Sequence, residues 1–407
     1  MDSQAVLGSM RRWEREVAEA FLTWRHEETR RGEARLQSMC AAVSGTVKDY
    51  TAWGRVSGEE IVRRLPDALA ACDTLNFTEI GEALAYLVLH LTDRYGRVTE
   101  VLERLLQQGY LPVRRTRTAV LDVGAGPAPG VYATVDLYDD FADWIASTER
   151  KVALARVTNP DVLDAGSAWD HVLHGFSERL LVERRGQPGE RTALLPFRRT
   201  YSRQVQGFSV HDEHHAWRAW VQRQILYDFD TADESISQQT AWQMAYQEPA
   251  AVPSAYDLII LCNFLTNTHM TEQLGDDLFR LAKSLTPGGA LLVLGGTGAS
   301  YPAIYTAISE IAASAGLTPV SGLLGPITAN AAPARRALIA EQVRGDIAYL
   351  AAASPSSTWT TIRQHLPADV VDPTKPFKLP RFRALAFQRK FPRQGKDRGR
   401  SPRGTPT

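Results

Sequence analysis

The residues best suited to chemistry lie in one run, Val120 to Gly130, which reads VLDVGAGPAPG. An apolar stretch ends in a carboxylate, Asp122, and is followed by glycines at 124, 126 and 130. Glycine at a strand-to-helix turn lets the backbone approach a ligand, which is the grammar of a nucleotide-binding turn. The spacing is not G-x-G-x-x-G, and no G-K-S or G-K-T follows to cradle a triphosphate. A carboxylate at the strand's end would repel a pyrophosphate and suits an ammonium or hydroxyl-rich group. Pro127 and Pro129 remove two backbone donors from the place where a pyrophosphate needs them. Both features favour a ligand with an amino-acid portion and no phosphate, namely S-adenosylmethionine, with a dinucleotide as the alternative.

A ribose-holding acid belongs at the end of the second strand, about 20 residues beyond the first turn. The preferred second strand is RQVQGFSV, Arg203 to Val210, followed by Asp212 and Glu213 as ribose candidates. A rival run, KVALARV, lies at more ordinary spacing but meets no acid until Asp161. In LYDFDTAD, Asp228 and Asp230 are candidates to end the third strand and accept an adenine amino group. Asn263 and Phe264 follow the apolar run YDLIILC and are candidates to line the mouth where a transferred group would be delivered. His171 and His174, and His211, His214 and His215, have helical spacings, but surface and capping roles are the commoner fate of such residues, so no metal is expected.

These residues need elements to hold them. Up to about residue 112 the chain reads as helices: Val17, Phe21 and Trp24 recur at spacings of three and four, and Ser57 with Glu60 forms a capping-box pattern. Beyond Pro112, short apolar runs alternate with amphipathic ones, which predicts a doubly wound α/β sheet. The expected organisation is a helical domain over 1–112 and an α/β domain over 113–391. Insertions are expected near 150–200 and 330–375, and a basic disordered tail over 392–407.

The motifs resemble those of class I S-adenosylmethionine-dependent methyltransferases. VLDVGAGP looks like their first motif, YDLIILCNFLTN like their fourth strand, and LFRLAKSLTPGGALLVLGG like the helix, turn and fifth strand that follow. The resemblance implies a Rossmann-like methyltransferase sheet whose last strand is antiparallel, a place that RFRALAFQRK fits. It also implies that Asp122, Gly124, Ala125, Gly126 and Pro127 form the loop under the methionine portion. NFLTN departs from the proline-containing motif of exocyclic-amine methyltransferases. Upstream, AYLVLHLTDRYGRVTEVLERLL is similar to the lead-in of a family of small-ribosomal-subunit methyltransferases of the mitochondrial ribosome-assembly type. The cysteine cluster of that family is not matched here.

Composition narrows the partners. The last 33 residues carry eleven Lys or Arg against one acid, whereas the preceding 374 carry 35 basic and 45 acidic residues. An acidic body is no general nucleic-acid surface, although the tail suits phosphates. Cys40, Cys72 and Cys262 form no metal or disulfide pattern, and no run of about 18 apolar residues offers a membrane span. A cytoplasmic location is therefore expected. The reading is an enzyme that transfers a methyl group to an acceptor, either RNA, with rRNA slightly preferred, or a small metabolite. The competing class is a non-catalytic methyltransferase-like binding or ribosome-assembly protein.

Overall fold

The computed structural model describes residues 15–70, 75–113, 118–148, 157–193, 199–200, 205–209, 255–320, 326–327 and 333–390. Its centre is the strand β1, Thr118–Val123, buried along its whole length. On one side β1 pairs in parallel with β2, Val157–Leu163, and β2 with the short β3, Arg199–Thr200. On the other side it pairs with β4, Tyr256–Cys262, and β4 with β5, Leu285–Gly295. The last strand, β8, Phe382–Arg389, runs antiparallel between β5 and β6, Leu317–Pro319, and β7, Pro326–Ile327, pairs with β8 as well. The order is β3-β2-β1-β4-β5-β8-β6. A mixed α/β sheet with an antiparallel last strand is thus present.

The near-continuous apolar runs of β1, β4 and β5 follow from burial on both faces. Alternate residues enter separate cores: Val120, Leu258, Ile260 and Leu292 on one face, and Leu121, Val123, Ile259 and Val293 on the other. The second face is covered by α6, Thr268–Gln273, α7, Gly275–Lys283, and α8, Tyr301–Ser314. The first is covered by α4, Pro129–Ser147, and α5, Ala168–Glu183.

A second layer of helices lies over α4 and α5. It contains α1, Arg31–Ala52, α2, Gly58–Ala70, and α3, Ile80–Gln107. The stretch before β8 adds α9, Pro333–Ala352, α10, Ser356–Arg363, and α11, Ala368–Val371. Ser57 accepts the Glu60 amide at 3.1 Å, so the capping pattern at the start of α2 is made. From Gly81 to Val98, α3 is buried almost all round, as expected of a helix enclosed by others. Buried side chains continue without a break from Val17 to Phe382, so the helical layer shares its core with one face of the sheet. No described helix is long and apolar enough to cross a membrane.

Charged groups fasten that layer to α4. Asp136, Asp139 and Asp140 project together because they are three and four residues apart on a helix. Arg35 of α1 reaches Asp136 at 3.1 Å, Asp139 at 2.9 Å and Asp140 at 2.6 Å. Arg25 reaches Asp140 at 3.0 Å, and Arg184, just beyond α5, reaches Asp136 at 2.8 Å. Tyr95 of α3 donates its hydroxyl to Asp136 at 2.8 Å. Burial works to raise the Asp136 carboxyl, but Arg184 and Arg35 outweigh it and hold the group at about 2. Charges this deep are tolerated only because each has an opposite partner.

Several expectations need correction. The second strand is Val157–Leu163, whereas the described part of the preferred candidate, 205–209, forms a turn and irregular chain. The third strand is at 199–200, ahead of the place expected for it. The stretch near 150–200 that reads as an insertion therefore contains β2 and α5. Pro160 sits inside β2, which weakened its signal as a strand. It is accommodated because β3 pairs only with Val162 and Leu163, leaving the rest of β2 an edge among the described residues.

Candidate functional site

The strands β1, β2 and β4 all present their carboxyl ends to one cleft of about 350 Å³. That is where an open α/β sheet binds ligands. Gly124 and Gly126 line it from the turn after β1, Asp164, Ala165 and Gly166 from the turn after β2, and Asn263 and Phe264 from the turn after β4. The helical layer adds Phe77 and Tyr86.

The turn after β1 is built on left-handed backbone. Gly124 has φ +60°, Gly126 has φ +50°, and Ala128, just before α4, has φ +55°. The amides of Gly124 and Ala125 both donate to the Leu163 carbonyl, at 2.8 and 3.2 Å, which ties this turn to the end of β2. A Cβ on Gly124 would fall 2.0 Å from the Phe264 ring, so only glycine allows that ring to lie where it does.

Asp164 joins the two turns. One carboxylate oxygen accepts the Gly126 amide at 2.7 Å and the other accepts the Gly166 amide at 2.8 Å. Burial pushes its carboxyl above the usual carboxylate range. Asp164 follows β2 directly, and the sequence signal was present: Val162-Leu163-Asp164-Ala165-Gly166 echoes Val120-Leu121-Asp122-Val123-Gly124. The proline within β2 concealed the match.

Asp122 has a different place from the one its position suggests. It is fully buried and turned under α4, where one oxygen accepts the amides of Gly130 at 2.8 Å and Val131 at 3.3 Å. It fills the positive end of that helix from within. Its other oxygen, Oδ1, is buried without a hydrogen-bond partner among the described residues. Burial, reinforced by the neighbouring Asp164, pushes Asp122 up to about 8. Ala125 and Pro127 are buried in the same loop and do not line the cleft.

Asn263 does line the cleft. It has φ +55°, outside the usual range for a non-glycine residue, and its amide donates to the Leu294 carbonyl of β5 at 2.8 Å. Aromatic residues close the other wall: Phe77 lies 5.0 Å from Tyr86 and 5.1 Å from Trp169, centroid to centroid. A Cβ on Gly126 would meet Trp169 and Tyr86 at 3.6 and 3.7 Å, so the glycine turn is packed against this aromatic group. Sequence reading missed these three: Tyr86 and Trp169 have the periodicity of ordinary helix-core residues, and Phe77 lies in the irregular chain before α3.

Of the remaining candidates, those among the described residues do not line the cleft. Asp212, Glu213, Asp228 and Asp230 lie outside the described residues, as do His211, His214, His215, Cys72 and the basic tail from 391. His171 and His174 lie exposed on α5, with His174 3.2 Å from Glu178. Asp161 lies within β2, and its carboxylate accepts the Tyr256 hydroxyl at 2.6 Å.

The sequence matches no protein-family model, and no curated protein sequence matches it significantly. Among solved structures, the YcgJ protein from Bacillus subtilis is similar with a TM-score of 0.32 and 10% identity, over 74% of this chain and 99% of that one. The cyclase SpnF is similar with a TM-score of 0.31 and 13% identity, over 72% of this chain and 80% of that one. At these scores neither likeness bears on the chemistry of the cleft.

Proposed function

We propose that the chain is an S-adenosylmethionine-dependent methyltransferase and that the cleft at the ends of β1, β2 and β4 holds the cofactor. The observation that carries this reading is Asp164, a carboxylate at the end of β2 bonded to the amide of the glycine turn. An ionised carboxylate has about four acceptor sites. The backbone amides of Gly126, Gly166 and Ala165 occupy part of that capacity, which leaves room for a ribose hydroxyl. In this reading Asp164 is the ribose-holding acid.

The residues present fit this cofactor better than a dinucleotide. A pyrophosphate needs the amides at a helix N-terminus. In α4 the first two such amides, Gly130 and Val131, already serve Asp122, and the helix begins at a proline. The left-handed glycines 124 and 126 leave a backbone cradle suited to the methionine portion, with Asn263 and Phe264 at its mouth. Bound there, the cofactor supplies an activated methyl group, so the work left to the chain is alignment of the acceptor for in-line attack. Asn263, held in strained backbone by the Leu294 carbonyl, is a fixed edge for that alignment.

A second reading is a protein of the same architecture that binds without transferring. The Phe264 ring over Gly124 favours it, because the methionine portion must share that space with the ring.

Calorimetric titration with S-adenosylmethionine and S-adenosylhomocysteine tests the first point. Binding near the micromolar level (about −8 kcal/mol) that a Gly126→Arg variant loses supports a cofactor site. The absence of binding by folded protein would overturn it. Transfer of a labelled methyl group then separates enzyme from binder.

A further inference from the structure

The wall of the cleft formed by the helical layer is held in place by Phe77 and its contacts. Phe77 has φ +48°, an outlier for a bulky side chain. Such a conformation costs on the order of 1–3 kcal/mol and persists only where its surroundings impose it. Here the Phe77 carbonyl accepts the amide of Ala168, the first residue of α5, at 3.0 Å. Its ring is fixed edge-on to Tyr86 and tilted against Trp169. Of the four described non-glycine residues with positive φ, two, Phe77 and Asn263, line this one cleft. One belongs to the helical layer and the other to the sheet.

Among the described residues, the side chains that line the cleft around Phe77 are uncharged. Leu75, Met270 and Leu274 supply apolar surface, and Asn76 and Gln273 supply amides. Among the described lining residues the only ionisable acid or base of ordinary range is Asp164, a carboxylate. A phosphodiester brought here would give up its hydration beside a negative group, whereas nucleic-acid binding depends on neutralising cations. A cationic guest is disfavoured too, because the Arg94 guanidinium already stands 4.6 Å from the Tyr86 ring centroid.

We propose that the Phe77 end of the cleft is the acceptor site and that it takes a planar, uncharged small molecule with an apolar body and hydrogen-bonding edges. This rests on the methyltransferase reading for the word acceptor, but the binding preference stands on the lining itself.

The test uses the full chain, with and without saturating S-adenosylhomocysteine, titrated with 2-naphthol, with 2-naphthyl phosphate and with a short single-stranded oligoribonucleotide. The two naphthyl probes share a ring and differ in charge. The expected result is 2-naphthol binding at least about tenfold tighter than the phosphate. Phe77→Ala weakens 2-naphthol by about tenfold or more and changes S-adenosylhomocysteine affinity by less than about threefold. Gln273→Lys, at an exposed position, shifts the preference toward 2-naphthyl phosphate without depending on the integrity of the aromatic wall. Equal or tighter binding of the phosphate or the oligoribonucleotide overturns the proposal. So does failure of 2-naphthol to bind, or binding that neither substitution alters. Failure of the unsubstituted chain to bind 2-naphthol while it binds S-adenosylhomocysteine rejects only the acceptor site. The reverse rejects the cofactor reading and leaves a neutral aromatic site.

Discussion

The amide of Gly126 and the carboxylate of Asp164 meet at 2.7 Å, although the two residues belong to different strand-to-helix turns. This bond sets the distance between the glycine turn and the acid that faces the cleft. Asp164→Ala is expected to weaken S-adenosylhomocysteine binding by about tenfold or more, through loss of both the ribose acceptor and the support of Gly126. Calorimetry measures this, and unchanged affinity in a folded variant would remove Asp164 from the site.

Gly124 and Phe264 form a second close pair. Gly124→Ala places a methyl group against the Phe264 ring and asks alanine to adopt φ +60°. The expected destabilisation is about 2–4 kcal/mol. In a Phe264→Ala background the steric part disappears and about 1–2 kcal/mol of backbone cost remains. A double-mutant cycle by urea unfolding gives the coupling, and additive effects would show that the ring has moved elsewhere in solution.

Asp140 carries more of the fold than any surface charge. It is fully buried, and both Arg25 and Arg35 bond to it. Asp140→Ala leaves two buried guanidinium groups short of a partner, with an expected cost of about 3–5 kcal/mol. Glu33→Ala, which breaks an exposed pair with Arg30, is expected to leave the unfolding midpoint within error. Equal effects of the two substitutions in chemical denaturation would contradict the network.

Asp122 makes stability depend on pH. Burial raises its carboxyl in the folded chain to about 8 from a usual value near 3.8, so folding favours the protonated form. The contribution is complete below pH 3.8 and is lost as the pH rises through about 8. Asp122→Asn keeps an acceptor for Gly130 and Val131 and does not titrate. Between pH 5 and pH 8.5 the parent is expected to lose stability relative to this variant by on the order of 1 kcal/mol or more. Parallel curves for the two proteins would show that Asp122 is already ionised in the fold.

Much of the sheet was legible in the chain, and so was half of the cleft. The runs VLDV, DLIILC and ALLVLG are apolar enough to identify strands buried on both faces, and the glycines after the first of them mark the turn. Asn263 and Phe264 follow from the end of β4. The helices before residue 112 were legible from spacings of three and four. These are local properties, set by a few neighbouring side chains and by the backbone freedom of glycine.

What only the tertiary structure decided lies in the pairings. β2 was hidden because Pro160 argues against a strand until the sheet leaves its neighbouring edge open. Asp164, which follows β2 directly, then reaches the cleft. Asp122 has the sequence position of a ligand group, yet the start of α4 draws its carboxylate inward. Phe77, Tyr86 and Trp169 carry no chemical signature of their own. They become a wall of the cleft because the helical layer and α5 fold over the same face of the sheet, and no spacing along the chain encodes that juxtaposition.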